Sequence, residues 1–235
     1  MRLEVLADAG AAAQRAASCI AVGLREALQE RPRCALALSG GETASALLIA
    51  LARKSLPWER VELFQVDERV APRGSAARNL TQLERLLVRP ARLATEHLHA
   101  MPVEAIDIAA AAADYAATLT AVAGMPPVLD VVHLGLGTDG HTASLVPGDA
   151  VLEVDDRWVA EVGEYRGHRR MTLTFATLAR ARRIVWLVCG ASKAAAMQGL
   201  ISGNSCMPAG RVARACATIV ADEAAASGVA WGLRS

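Results

Sequence analysis

The feature that most constrains this chain is an alternation of short, predominantly apolar runs with longer alanine- and leucine-rich segments of helical period. CALAL (Cys34 to Leu38), VELFQV (Val61 to Val66) and IVWLVC (Ile184 to Cys189) are examples of the runs. A run with little polar face has nothing to show to water, so it reads as a strand covered on both sides, with the helical segments as the cover. Strands are expected at Leu3 to Leu6, Cys34 to Leu38, Val61 to Val66, Val128 to Leu134, Trp158 to Val162, Met171 to Thr174, Ile184 to Cys189 and Ala217 to Val220. Helices are expected at Ala9 to Gln29, Ala44 to Lys54, Leu80 to Leu87, Val103 to Val122, Phe175 to Arg180 and Ser192 to Ile201, with Pro126-Pro127 as a helix stop. The pattern predicts an α/β fold with a mostly parallel sheet and helices on both faces. At 235 residues the chain is read as one domain.

Charge removes several functions. Lys and Arg number 25 against 24 Asp and Glu, so no global field exists to capture nucleic acid or an anionic membrane, and any anion must be bound locally. Aromatic residues at 3% offer no stacking platform for single-stranded nucleic acid. The five cysteines form no CxxC pair and read as reduced core residues. With no long apolar leader and no run of membrane-spanning length, the expected location is the cytoplasm.

In open α/β sheets ligands bind beyond the carboxyl ends of the strands, which directs attention to three loops. Ser39-Gly40-Gly41-Glu42-Thr43 joins a strand to a helix start, where paired glycines admit a ligand and the helix N-terminus favours an anion such as phosphate. No GK[ST] follows, so it is not a nucleoside triphosphate loop. Asp67-Glu68-Arg69 stands at the end of the next strand; alternation lets at most one or two of the three face one cleft, and the competing reading is a solvated charged loop. In GLGTDGHTASLVPG, glycines give the chain room while Asp139 and His141, two residues apart, point into one pocket as a general-base pair. The same stretch matches GxGxxG, but an aspartate in mid-loop would stand where a pyrophosphate should, which argues against dinucleotide binding. His97 and His99 have no further ligands beside them, so no metal is expected. Lys193 begins a helix after the strand ending at Cys189, and Arg169 and Arg170 precede MTLT; all could reach an anion held by a neighbouring loop.

SGGET, VDERVAP and GLGTDGHTASLVPG, together with RRMTLT and CGASKA, resemble the 6-phosphogluconolactonase family in combination and order, from about Ala35 to about Val212. The resemblance implies one α/β domain over residues 1–235 with a three-layer Rossmann-like sheet, shared with glucosamine-6-phosphate deaminases and ribose-5-phosphate isomerases, and no organic cofactor. It implies hydrolysis of 6-phospho-glucono-1,5-lactone to 6-phosphogluconate in the oxidative pentose phosphate pathway. His141 would activate water with Asp139 beside it, Arg69 would bind or polarise the substrate, and Asp67 would position Arg69 or the substrate. Gly40, Gly41 and Thr43 would hold the phosphate, with Lys193 and Arg170 supplying positive charge. The partner expected is the phosphosugar lactone, with neither nucleic acid nor membrane, on a monomer or weak homodimer.

Two alternatives belong beside it. The amino-sugar phosphate deaminases share SGG, a DE pair and a GxDGH loop, but carry tyrosine where Arg69 stands and glutamate where Val146 stands, and an apolar side chain cannot shuttle a proton. A sugar-phosphate sensor would keep SGGET and Lys193 without catalysis. Three local departures touch the expected phosphate contacts: SGGETAS replaces SGGSTP, GSAARNL replaces an Asp-x-x-Ser-Asn pattern, and GHRRMTLT lacks prolines before the arginine. Arg78, beside Asn79, is read as a solvated helix-start residue rather than an extra phosphate ligand.

Overall fold

The computed structural model describes residues 1–212 and 214–229. In chain order the strands are β1 (Arg2–Leu6), β2 (Cys34–Leu38), β3 (Val61–Gln65), β4 (Asp67–Arg69), β5 (Leu98–His99), β6 (Val131–Gly135), β7 (Val159–Tyr165), β8 (His168–Leu173), β9 (Ile184–Val188) and β10 (Ala217–Asp222). The helices are α1 (Ala9–Glu30), α2 (Glu42–Ala52), α3 (Asn79–Leu83), α4 (Arg89–Ala91), α5 (Ile108–Ala123), α6 (Phe175–Leu178), α7 (Ala194–Ser202), α8 (Pro208–Arg211) and α9 (Glu223–Ala226). A 7-stranded sheet runs in the order β1-β10-β9-β6-β2-β3-β5, every pair of neighbours parallel.

The apolar runs are the middle of this sheet. β2, β3 and β9 are buried at every residue, because α1 and α2 cover one face while α5, α7 and α9 cover the other. α1 shows how its sequence selects the face. Asp8 caps it by accepting from the Ala11 amide at 2.8 Å, and its buried stripe is mostly alanine (Ala12, Ala13, Ala16, Ala17) with Ile20 and Leu24. Small residues let it approach the sheet so closely that a Cβ on Gly23 would stand 2.9 Å from Val131 Cγ2. Each fully buried leucine on these faces, such as Leu47 or Leu63, contributes about 1.5–3 kcal/mol through the area it removes from water.

Several sequence expectations need correction. The strands near Trp158 and Met171 do not join the parallel sheet. They form an antiparallel hairpin, β7 and β8, and with β4 make a separate 3-stranded sheet in the order β4-β8-β7 on the α5 side. Asp67-Glu68-Arg69 is therefore not a solvated loop but strand β4, with Asp67 and Glu68 buried. β5 is a two-residue edge strand with no apolar run to announce it. The helix expected from Val103 begins at Ile108, where Asp107 accepts from the Ala110 amide and ends the preceding loop. β6 begins at Val131 rather than Val128; just before it Asp130 is fixed to β2, its amide donating to the Ala35 carbonyl and its carboxylate accepting from the Ala35 amide, both at 2.9 Å. Of the cysteines only Cys34 is buried; Cys206 is exposed and the rest are intermediate. No described helix is long and apolar enough to cross a membrane.

The topology fixes where a ligand would lie. From β2 the chain passes through α2 to β3 on one side, whereas from β6 it goes on to β9 on the other. β2 and β6 are neighbours whose connections diverge, so a crevice opens beyond their carboxyl ends. The SGGET and GTDGH turns stand on its two banks.

Candidate active site

A cleft of about 680 Å³ occupies this crevice. Gly40, Gly41, Thr43, Asp67, Arg69, His141, Arg170 and Lys193 all line it, brought together from β2, β4, β6, β8 and the turn after β9. Asp139 is set behind the wall, against His141.

The Asp139–His141 pair is built by glycines. Gly140 takes φ +84°, a conformation that favours glycine, and the Gly137 amide donates to the His141 carbonyl at 2.7 Å, closing the turn. A side chain at Gly137 would meet His141 Nδ1 at 2.0 Å, so the ring uses the space of the missing Cβ. His141 Nδ1 lies 2.5 Å from Asp139 Oδ1, and the Tyr165 hydroxyl donates to Asp139 Oδ2 at 2.6 Å. Burial works to raise the Asp139 carboxyl, but the hydrogen bonds from Tyr165 and His141 win and hold it down at about 2. An ionised carboxylate only accepts, so the Nδ1 atom facing it carries the hydrogen, and in the neutral ring it is Nε2 that holds the lone pair.

Opposite stands a cationic wall. β4 and β8 pair so that Arg69 and Arg170 are direct cross-strand partners, a placement in which like charges repel unless an anion lies between them. Arg69 Nη1 is steadied by the Ala77 carbonyl and Asn79 Oδ1, each at 2.9 Å. Arg170 is buried, and that burial together with the Arg69 and Arg166 charges lowers its pKa, against the opposing pull of Asp67. Lys193 is likewise lowered, first by burial and then by Arg166. Each of these cations gains from a bound anion. Asp67 lies beneath them, its pKa raised by burial; it accepts from Ser144 Oγ at 2.7 Å and from Asn79 Nδ2 at 3.3 Å.

The SGGET turn differs in detail from its sequence reading. Gly41 has φ +104° and no side chain caps α2, which leaves the first helical amides open to the cleft. The Gly41 amide itself is not free, since it donates to Gln82 Oε1 at 3.0 Å, and Gln82 Nε2 returns a bond to the Gly41 carbonyl at 2.8 Å. Gly40 is required for another reason: a Cβ would stand 2.2 Å from Asn79 Oδ1. Arg78 is also not as expected. It is buried, with Nε 3.0 Å from Glu68 Oε2 in a charge contact whose alignment falls short of a hydrogen bond, and Nη1 donating to the Ala71 carbonyl.

Sequence reasoning missed the residues that hold the named ones. Asn79 links Gly40, Asp67 and Arg69; Ser144 holds Asp67; Tyr165 and Arg166, at the tip of the β7–β8 hairpin, reach Asp139 and the cleft. The available signal was Arg166-Gly167 between two alternating strands, a two-residue turn pattern. His133, on β6, lines the floor with both ring nitrogens unpartnered, and burial lowers its pKa to about 4.

Residues 7–221 match the family model described as glucosamine-6-phosphate isomerases/6-phosphogluconolactonase. A 6-phosphogluconolactonase of Synechocystis sp. is 37% identical over 196 residues, covering 82% of this chain and 81% of its own. The crystal structure of a 6-phosphogluconolactonase from Shewanella baltica superposes with a TM-score of 0.82 at 26% identity, covering 94% of this chain and 97% of that one. A monomeric glucosamine-6-phosphate deaminase superposes with a TM-score of 0.83 at 20% identity, over 97% of this chain and 100% of that one, and at that identity shares the fold alone.

Proposed function

We infer that this chain, which belongs to the glucosamine-6-phosphate isomerase/6-phosphogluconolactonase family, is a 6-phosphogluconolactonase that hydrolyses 6-phospho-D-glucono-1,5-lactone to 6-phosphogluconate. The observation that carries the reading is one cleft in which an Asp139–His141 pair with a free Nε2 faces cations around an open helix start. The substrate's phosphate is assigned to the α2 N-terminus, with Thr43 and Lys193. Gly41 serves by its conformation rather than as a donor, since its amide is spent on Gln82. Held there, the ring ester lies beside His141. Nε2 takes a proton from water as the oxygen attacks the carbonyl carbon, and Asp139 stabilises the imidazolium that forms. Negative charge builds on the carbonyl oxygen, and Arg69 with Arg170 is placed to receive it. The tetrahedral intermediate collapses by breaking the ring C–O bond, and the proton passes from Nε2 to the departing hydroxyl. A lactone is an activated ester, so orientation, a base and a cation suffice without a covalent nucleophile. Asp67, held by Ser144 and Asn79, positions the arginines through its charge rather than by a direct hydrogen bond.

Buried Val146 supports the lactonase over a deaminase, since nothing at that position can carry a proton to an amino group. The test is acid release from freshly generated phosphogluconolactone, measured against spontaneous hydrolysis. Replacing His141 by alanine is expected to lower kcat by about 10²–10⁴, the usual contribution of a positioned base. An unchanged kcat removes His141 from that role. Ammonia from glucosamine 6-phosphate would move the assignment to the deaminases, and stabilisation by 6-phosphogluconate with no turnover would make the protein a sensor.

A further inference from the structure

Every residue assigned to the reaction so far sits on a turn of the parallel sheet or on β4 and β8, yet the shortest oxygen–oxygen contact within the base pair's surroundings comes from elsewhere. Tyr165 ends β7, on the hairpin of the second sheet. Its place is fixed independently of the base pair. Arg166 at φ +52° and Gly167 at φ +79° form the two-residue turn that suits a right-twisted hairpin, and a register shift between Val162 and Tyr165 turns the strand end toward the cleft. The Tyr165 carbonyl accepts from Arg170 Nε at 3.3 Å and Nη2 at 3.1 Å, while the guanidiniums of Arg166 and Arg170 lie 5.0 and 5.1 Å from its ring centre. So anchored, the ring meets His141 edge to face at 5.4 Å.

We propose that Tyr165 is a positioning residue for the reaction: by donating to Asp139 Oδ2, its hydroxyl pins the carboxylate so that Oδ1 stays on His141 Nδ1 and Nε2 stays the free acceptor. The proposal deepens the general-base reading and rests on it. The Asp139 side chain is 35% exposed, so water competes for both carboxylate oxygens, and the two remaining donors, the imidazole and the His141 amide at 3.3 Å, both fall on Oδ1 and leave Oδ2 unheld. A rigidly mounted donor at Oδ2 removes that freedom. The hydroxyl also lies 3.3 Å from Nδ1, so it adjoins both members of the pair. Tyr165 touches the partner of the base and the cation Arg170 at once, which couples the orientation of the base to the wall that receives the oxyanion.

The test is Tyr165→Phe, which keeps the ring and its stacking on both arginines while deleting the donor. Two readouts are taken on the full-length protein. Nitrogen-15 shifts of the His141 ring, assigned through the signal lost in His141→Ala, are expected to show a protonated Nδ1 and an unprotonated Nε2 in the parent, and to move toward each other in Tyr165→Phe as the two tautomers mix. Steady-state kinetics are expected to show kcat down about tenfold with KM within about twofold, the mark of misplaced chemistry rather than weakened binding. Unmoved nitrogen shifts overturn the proposal, as does a raised KM at parental kcat, or a parental kcat where His141→Ala is inactive. Should His141→Ala keep parental activity, the base reading falls, and the nitrogen shifts alone decide whether Tyr165 orients the ring.

Discussion

Gly137 has no room for a side chain: an added Cβ would stand 2.0 Å from His141 Nδ1 and 2.5 Å from Asp139 Oδ1. Gly137→Ala must therefore push the imidazole off its carboxylate or distort the turn. The turn lies at the cleft mouth and carries little of the core, so the expected outcome is a kcat loss of at least about tenfold with less than about 1 kcal/mol of stability lost. Steady-state kinetics beside urea unfolding separate the two; loss of fold in step with loss of activity would contradict it. This residue also marks what can be seen in a sequence and what cannot. GLGTDGH shows that the chain needs space and offers an acid next to a base, because glycine is the residue that grants space and its position is explicit. Which atom takes the space at Gly137, or at Gly40 where it is Asn79, depends on a partner distant in the chain, and no local pattern carries that. Tyr165 was hidden for the same reason, being 26 residues from Asp139.

At the scale of elements, β4 does most to shape the cleft and was the least legible. The long strands announce themselves through continuous apolar runs, whereas Asp67-Glu68-Arg69 is three charges whose burial makes sense only once their partners are seen. Glu68 is fully buried and accepts from the amides of Arg69, Asn79 and Leu80, each at 2.8 Å, and from Gln65 Nε2 at 2.9 Å, with the Arg78 guanidinium 3.0 Å away. It thereby caps α3 from another element, a task usually given to a residue next to the helix start. Arg78 looked like a solvated helix-start residue because its neutralising charge lies ten positions back, on a strand the sequence does not show. Glu68→Ala leaves the α3 amides unpartnered and the buried Arg78 charge with only the half-exposed Glu104, 3.6 Å away, so a destabilisation of about 3–5 kcal/mol is expected. Denaturant unfolding measures it, and a loss under about 1 kcal/mol would show that water or a neighbour replaces the carboxylate. Asn79 and Arg69 hang on the same network, so the variant is also expected to weaken substrate binding.

Across the whole molecule the question is whether two sheets behave as one body. The alternation of elements foretold the parallel sheet and its helical cover but not the second sheet: β7 and β8 expose Glu161, Gly163, Glu164 and Arg169, the pattern of strands covered on one face, but their pairing with β4 is set by a partner about a hundred residues away. Within the parallel sheet the first and last described strands, β1 and β10, lie side by side, and one backbone crossing ties that sheet to the other. Val66, between β3 and β4, donates its amide to the Leu38 carbonyl of the parallel sheet at 3.0 Å and accepts from the Leu173 amide of the antiparallel sheet at 2.8 Å. We propose on this ground that residues 1–235 form one cooperative domain. The cleft draws its walls from both sheets, with α2 and Lys193 on one side and Arg69, Arg170 and the hairpin on the other, so a phosphosugar acid bound there stabilises both at once. At a 6-phosphogluconate concentration one hundred times its Kd, the gain is about 2.7 kcal/mol, which for a chain of this size raises Tm by about 5–10 °C. Calorimetry is expected to show a single transition, with calorimetric and van't Hoff enthalpies in agreement, displaced as a whole by the ligand. A transition that splits, with only one part following the ligand, would mean that the antiparallel sheet unfolds separately and that the cationic wall is not held in register with the base.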